Sequence, residues 1–203
     1  MPSPAASSVT PARQGAGLSN LDLQWAQFAQ SRFLAMPIAG TIAWTAIGIA
    51  GIFLRPSLYA LVLFGATGSI FYLGLLIARF TGEDLLGKTR PGNFFDRVFL
   101  LTIAMACLVY AIAIPFYLLD PSSLPLSAGI LTGLMWVPFS ALIRHWVGLF
   151  HGLVRTVLIV AAWYLFPSHR QVIIPAIVVT VYLVTLCVLI NRQRETKPAS
   201  IPA

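Results

Sequence analysis

The stretch RHWVGLFHGLVR, Arg144–Arg155, holds two of the three histidines and two of the thirteen Lys and Arg residues in the chain, and apolar sequence flanks it on both sides. Its reading decides the fold, because it decides whether the chain turns back here. On one continuous helix, offsets of 7 and 11 residues rotate by about 700° and 1100°, which puts Arg144, His151 and Arg155 on a single stripe with Gly148. The apolar runs on either side are each long enough for one crossing of a slab roughly 30 Å thick. The chain must therefore reverse near His145–Gly148. Arg144 then ends one helix, and His151 and Arg155 fall in the first turns of the next, with Arg155 about 10 Å inside it.

Composition supports a membrane reading. Of 203 residues, 58% are hydrophobic and only 9% charged, with a mean hydropathy of +0.85. Soluble domains carry roughly 25% charged residues because their surface faces water. The net charge of +7 would fit nucleic acid in a soluble protein, but the chain has neither an RNA-binding aromatic motif nor a long basic run. Basic residues gathered in cytoplasmic loops account for it better. Cys107 and Cys187 lie alone in apolar runs, without the spacing of a metal or redox motif, and read as packing residues.

Six segments are long and apolar enough to span: 33–54, 58–78, 98–119, 126–143, 148–166 and 172–190. Proline-bearing polar stretches at Arg55-Pro-Ser, Asp120–Pro125 and Pro167–Arg170 separate them. With both termini cytoplasmic, ten Lys and Arg residues lie inside and only Arg55 and Arg170 outside, with Arg155 left within a helix. The expected fold is an all-α polytopic transmembrane helix bundle of six spans, integral to the cytoplasmic (inner) membrane. Residues 1–18 read as a disordered tail, 19–32 as an amphipathic helix on the membrane surface or against the bundle, 33–190 as the transmembrane domain and 191–203 as a basic cytoplasmic tail.

Small residues in the spans read as helix contacts: Ala35, Ala39 and Ala43 in the first, Gly65 and Gly68 in the second, Gly129 and Gly133 in the fourth. The last pair forms GxxxG and is a candidate homo-oligomer contact. Pro138 is the one proline deep enough in a span to predict a kink. The long connection Arg79–Arg97 predicts a short helix from Thr81 with Leu85 and Leu86 toward the membrane, a turn at Arg90–Asn93, and Asn93 as the cap of the third span.

The polar residues define three readings of the basic cluster. In the first, a carboxylate from the long loop, Glu83, Asp84 or Asp96, pairs with Arg144 or Arg155 and fixes the structure. In the second, Trp25, His145 and Trp146 lie at the lipid interface and the basic residues hold anionic lipid. In the third, Arg144, His151 and Arg155 line a cytoplasm-facing site for an anion or a proton-linked substrate. Catalysis has little support: no HExxH, no aspartates inside a span, and no glycine loop before Gly87-Lys-Thr89. No catalytic residue, metal ligand or cofactor is assigned.

The segment WVPFSALIRHWVGLFHGLVRT, Trp136–Thr156, resembles small uncharacterised bacterial multi-span membrane proteins grouped as a domain of unknown function. The resemblance implies a bacterial cytoplasmic membrane and no particular chemistry. The expected function is that of a small transporter or permease with a basic cytoplasm-facing pocket. The alternative is a non-enzymatic scaffold or accessory subunit that binds anionic lipid or a partner protein.

Overall fold

A computed structural model describes residues 20–196, and among these no strand occurs. The helices are α1 Asn20–Ala29, α2 Ala35–Phe53, α3 Pro56–Thr81, α4 Phe94–Leu108, α5 Tyr110–Leu119, α6 Leu124–Leu131, α7 Trp136–Leu142, α8 Val147–Leu165 and α9 Arg170–Thr196. Short 3-10 turns at Pro121–Ser123 and Pro167–His169 lead into α6 and α9. They make six segments long and apolar enough to cross a membrane: α2, α3, α4 with α5, the 3-10 turn with α6 and α7, α8, and the 3-10 turn with α9. The protein is an all-helical multi-pass membrane protein.

Local sequence sets the helix ends. Pro56 opens α3, where its missing N–H costs nothing, and Gly82 closes it in the left-handed conformation (φ 72°). Asn93 caps α4 as expected, its side-chain oxygen accepting from the Phe95 N–H at 2.9 Å and the Asp96 N–H at 3.4 Å. The chain reverses after α7 at Arg144, which sits at positive φ (49°). There the His145 N–H bonds back to the Ser140 carbonyl at 3.0 Å, a Schellman-type closure with Arg where glycine is usual.

The fourth span is broken, but not where the sequence predicts the kink. Pro138 lies in the first turn of α7. The irregular stretch lies upstream at residues 132–135, between α6 and α7. Pro138 has no N–H to give the Leu134 carbonyl, and its ring crowds that carbonyl in a continuous helix. The chain responds by tightening: Gly133 N–H bonds to Ile130 O at 2.9 Å, Leu134 N–H to Leu131 O at 3.2 Å, and Val137 N–H to Leu134 O at 3.1 Å. The third span is interrupted more mildly at Val109, between α4 and α5.

α2 packs along both α3 and α9, and α8 along α9 and α7. Ala35, Ala39 and Ala43 are buried in α2, as their spacing predicts. Gly129 and Gly133 correct the GxxxG expectation. A side chain at Gly129 would meet Ile159, Ile174 and Trp44, and one at Gly133 would meet Arg155. Both therefore serve contacts within the chain, not a face left for a second copy. Gly65 and Gly68 depart from expectation in the opposite sense, since a Cβ there meets nothing within 4 Å.

At one end of the bundle, α1 is docked on the helices. Phe28 is buried against Phe33, Phe95 and Phe99, the Trp25 indole donates to Leu142 O at 3.0 Å, and the Asn93 amide donates to Gln24 O at 2.8 Å. The connection 82–93 forms turns rather than the expected helix, with Gly82 and Gly87 both at positive φ. Leu85 turns into the core, while Leu86 stays exposed. α9 continues through Thr196, so the expected tail 191–203 begins as helix. The tail 1–18 and residues 197–203 lie outside the described residues.

Candidate functional site

The centre of the bundle holds a polar cluster that four spans assemble. Arg155 is the ninth residue of α8, about 12 Å along it, and is 0% exposed. His151 lies one turn earlier on the same face and is equally buried. Trp44 comes from the first span, Thr132 and Trp136 from the broken fourth, and Tyr182 and Thr185 from α9.

The hydrogen bonds have a definite direction. The Thr185 hydroxyl donates to the Val181 carbonyl at 2.8 Å, which uses its only proton. It must therefore accept from His151 Nδ1, 2.9 Å away. Histidine is thus the neutral Nδ1–H tautomer, and its Nε2 lone pair accepts from Arg155 Nη1 at 3.4 Å. On the other side, the Thr132 hydroxyl donates to Ala128 O at 2.6 Å and accepts from Arg155 Nη2 at 2.9 Å. Each relay ends on a helix carbonyl.

Aromatic rings complete the enclosure. Trp136 stacks on His151 with centroids 4.3 Å apart, and Tyr182 meets the imidazole edge-on at 4.7 Å. The guanidinium lies 5.2 Å from the Trp44 ring and 5.6 Å from the Tyr182 ring, within cation–π range. Among the described residues no carboxylate supplies a counter-charge. The ion pairs among the described residues, Arg90–Asp96 and Arg144–Asp22, do not involve Arg155. Arg155 Nε, Trp44 Nε1 and Trp136 Nε1 are buried donors with no acceptor.

A cavity of about 70 Å³ adjoins the cluster. Thr132, Trp136 and Tyr182 form its inner wall, and each also touches Arg155 or His151. One layer of side chains thus separates the space from the cation. The outer part of the cavity runs between α3 (Thr67, Gly68, Ile70, Phe71) and the third span (Ile103, Ala106, Cys107, Tyr110).

The structure splits the basic stripe and removes its expected counter-ions. Arg144 stands at the bundle end over the Trp25 ring at 4.2 Å, with Asp22 at 3.8 Å. It does not join His151 and Arg155, because its left-handed backbone reverses the chain there. Asp96 is held by Arg90 through two bonds of 2.8 and 2.9 Å. Glu83 accepts from the Leu34 N–H at 3.0 Å and the Ala35 N–H at 3.1 Å, at the start of α2. Burial pushes the Glu83 carboxyl above the ordinary range against those bonds. Asp84 accepts from the Thr89 N–H and hydroxyl at 2.6 and 2.7 Å. Partial burial raises its carboxyl, but these bonds, with the Lys88 N–H and the Arg90 charge, outweigh that and bring it down to about 2. His145 accepts from the Val147 N–H at 3.2 Å and stacks on Trp146, which is exposed.

Thr132, Thr185, Trp44, Trp136 and Tyr182 were not among the sequence's candidates. Their signal was available in one form: hydroxyls and large aromatics at the centre of otherwise aliphatic spans, where a polar group needs an internal partner. No curated protein and no solved structure matches the chain significantly. The profile of a family of unknown function, DUF7010, matches residues 24–192, across all six spans, and the chain belongs to that family.

Proposed function

We propose that the protein is a small transporter-like or permease-like membrane protein that takes a small anion at a site built on Arg155 and His151. The observation that carries this reading is the buried guanidinium that pairs with no carboxylate among the described residues, its own Nε–H and the indole N–H groups of Trp44 and Trp136 being without acceptors. A buried cation among neutral partners is costly, and an oxygen-bearing anion supplies both the missing charge and the missing acceptors. The cavity behind Thr132 and Tyr182 supports it by bringing space to within one side chain of the cation.

Charge placement supports a cytoplasmic-membrane orientation with both ends of the chain inside. Arg32, Arg79, Lys88, Arg90, Arg97, Arg144 and Arg192 lie at the bundle end that carries α1 and the connection 82–93, whereas Arg55 and Arg170 lie at the other.

The test is thermal unfolding of the purified protein against a panel of small anions (chloride, nitrate, formate, acetate, phosphate), followed by proteoliposome flux of any that stabilise it. A bound anion at a hundred times its dissociation constant stabilises by about 2.7 kcal/mol, and Arg155→Gln is expected to abolish the effect. If no member of the panel stabilises the native protein in an Arg155-dependent way, the anion reading fails and a scaffold role takes its place.

A further inference from the structure

The cavity's position says how a ligand arrives. Gly68 is the thirteenth of the 26 residues of α3, and Cys107 is the fourteenth of the 26 residues of the third span, 94–119. Both are exposed, and both line the cavity. The mouth therefore lies halfway across the span, on the bundle's outer surface, where the surroundings are hydrocarbon. α3 and α4 do not pack closely on each other. α3 is instead bridged to α5, by the Tyr110 hydroxyl on Thr67 and by the Tyr110 ring on Phe64 at 5.9 Å. At Gly68 an added side chain would enter open space, so the absence of a Cβ there keeps the gap clear. Glycine in mid-helix is less stable than alanine and has no packing reason here.

We propose that this gap is a lateral portal through which a lipophilic carboxylic acid enters from the bilayer, its head directed at Arg155 and its chain trailing through the mouth. The inference rests on the anion-site reading above and names the class of ligand. Three features select that class. A permanently charged molecule does not cross hydrocarbon to reach a mid-depth opening, whereas a protonated acid does. A cavity of about 70 Å³ takes the head and a few carbons, so a longer chain must leave through the mouth, past the apolar Ile70, Phe71, Ile103 and Ala106. Behind the inner wall, Arg155 and Trp136 carry donors without an acceptor, and the His151 Nε2 lone pair, held at 3.4 Å by Arg155 Nη1, accepts from the ligand only once the head replaces it on that guanidinium nitrogen. A carboxyl group presents the complement: a carbonyl to accept and a hydroxyl to donate. Thr132, which bonds Arg155 on one side and lines the cavity on the other, is the side chain the head displaces.

The experiment is equilibrium binding of radiolabelled decanoate to the protein in nanodiscs, with empty nanodiscs as background and unlabelled 1-decanol or acetate as competitors. Saturable binding is expected that decanol does not displace. It is expected to weaken roughly tenfold or more in Gly68→Phe, which plugs the mouth, and in Arg155→Gln, which removes the charged donor. Native-like affinity in Gly68→Phe overturns the portal, as does equal competition by decanol. Should acetate bind in an Arg155-dependent manner while decanoate does not, lateral entry falls and the anion site stands. If Gly68→Phe blocks decanoate but Arg155→Gln leaves it intact, the anion site falls as well, leaving an apolar groove.

Discussion

At Arg155 the protein accepts a charge that it does not neutralise. Two hydroxyl and imidazole relays end on the carbonyls of Ala128 and Val181, and two aromatic faces spread the remaining field. Partial dipoles reduce the cost of burial without cancelling it. That arrangement separates a binding residue from a structural one by experiment. Arg155→Met replaces the cation with an apolar chain of similar length, and relief of the several kcal/mol that an unpaired buried charge costs outweighs the about 1–3 kcal/mol of leaving the His151 Nε2 lone pair without its donor. Thermal denaturation of Arg155→Met is therefore expected to give a Tm at or above the native value, with anion stabilisation lost. A large drop in Tm would make Arg155 a structural post instead. Thr185→Val should behave oppositely. It leaves the His151 Nδ1–H buried without an acceptor, a loss of about 1–3 kcal/mol, whereas Thr185→Ser restores the acceptor and most of the stability. The sequence exposed Arg155 and His151 because ionisable residues stand out in apolar runs. Their neutral partners were hidden, since nothing local in a span says which distant hydroxyl will face it.

Among the elements, glycines report which helix crossings are tight. A Cβ on Gly148 would run into the Trp136 carbonyl and come within 2.8 Å of the Ser140 nitrogen and 2.9 Å of its Cα. These are backbone atoms of α7, which cannot swing aside. Gly148→Ala is expected to destabilise by about 1–3 kcal/mol, and Gly65→Ala, facing open space, to gain about 0.5–1 kcal/mol; denaturation midpoints of the two variants check the contrast. The connection 82–93 adds a pH signature. Glu83 titrates above its ordinary value of 4.5, so between 4.5 and that raised value the folded state holds the proton more tightly, and stability from this group rises as pH falls. Asp84 titrates at about 2 against an ordinary 3.8. Its contribution is complete above 3.8 and is lost as pH falls toward 2. Stability measured from pH 7 downward should first rise and then fall, with Glu83→Gln removing the rise and Asp84→Asn removing its share of the fall. The sequence placed both carboxylates correctly in a loop but assigned them to the basic cluster. Glu83 meets its partners at the start of α2 only through the fold's return path, whereas Asp84 is taken by Thr89 within its own loop. The break in the fourth span was half legible: Pro138 announced it, but the strain is relieved upstream, where Gly133 leaves room for Arg155.

For the whole molecule, the number of crossings follows from the reversal at Arg144, and the number of crossings decides which ends share a side. The apolar runs made that count readable, because helix length and hydrocarbon thickness leave little freedom. What they left unread is the internal asymmetry. One flank is closed by α2, α8 and α9 packed together, and the other is parted between α3 and α4. The architecture also ties the approach to the first span to the last turns of α9 at the base of the bundle, since the Gln193 amide donates to the Arg32 carbonyl at 2.8 Å. Six crossings and this contact require residues 32, 88 and 193 on one side of the bilayer, and Arg55 and Ser168 on the other. The orientation proposed above puts the first group in the cytoplasm. A background with Cys107→Ala and Cys187→Ala carries no thiol, because those are the chain's two cysteines, and neither makes a disulfide. In it, Lys88→Cys and Ser168→Cys, both at exposed positions, report one end each to a membrane-impermeant maleimide. Intact cells are expected to label Ser168→Cys and spare Lys88→Cys until the membrane is permeabilised. The reverse pattern would invert the protein in the membrane while leaving the six crossings intact. Labelling of both positions in intact cells would break the even count itself, and with it the antiparallel pairing of the fourth and fifth spans that brings Thr132 to Arg155.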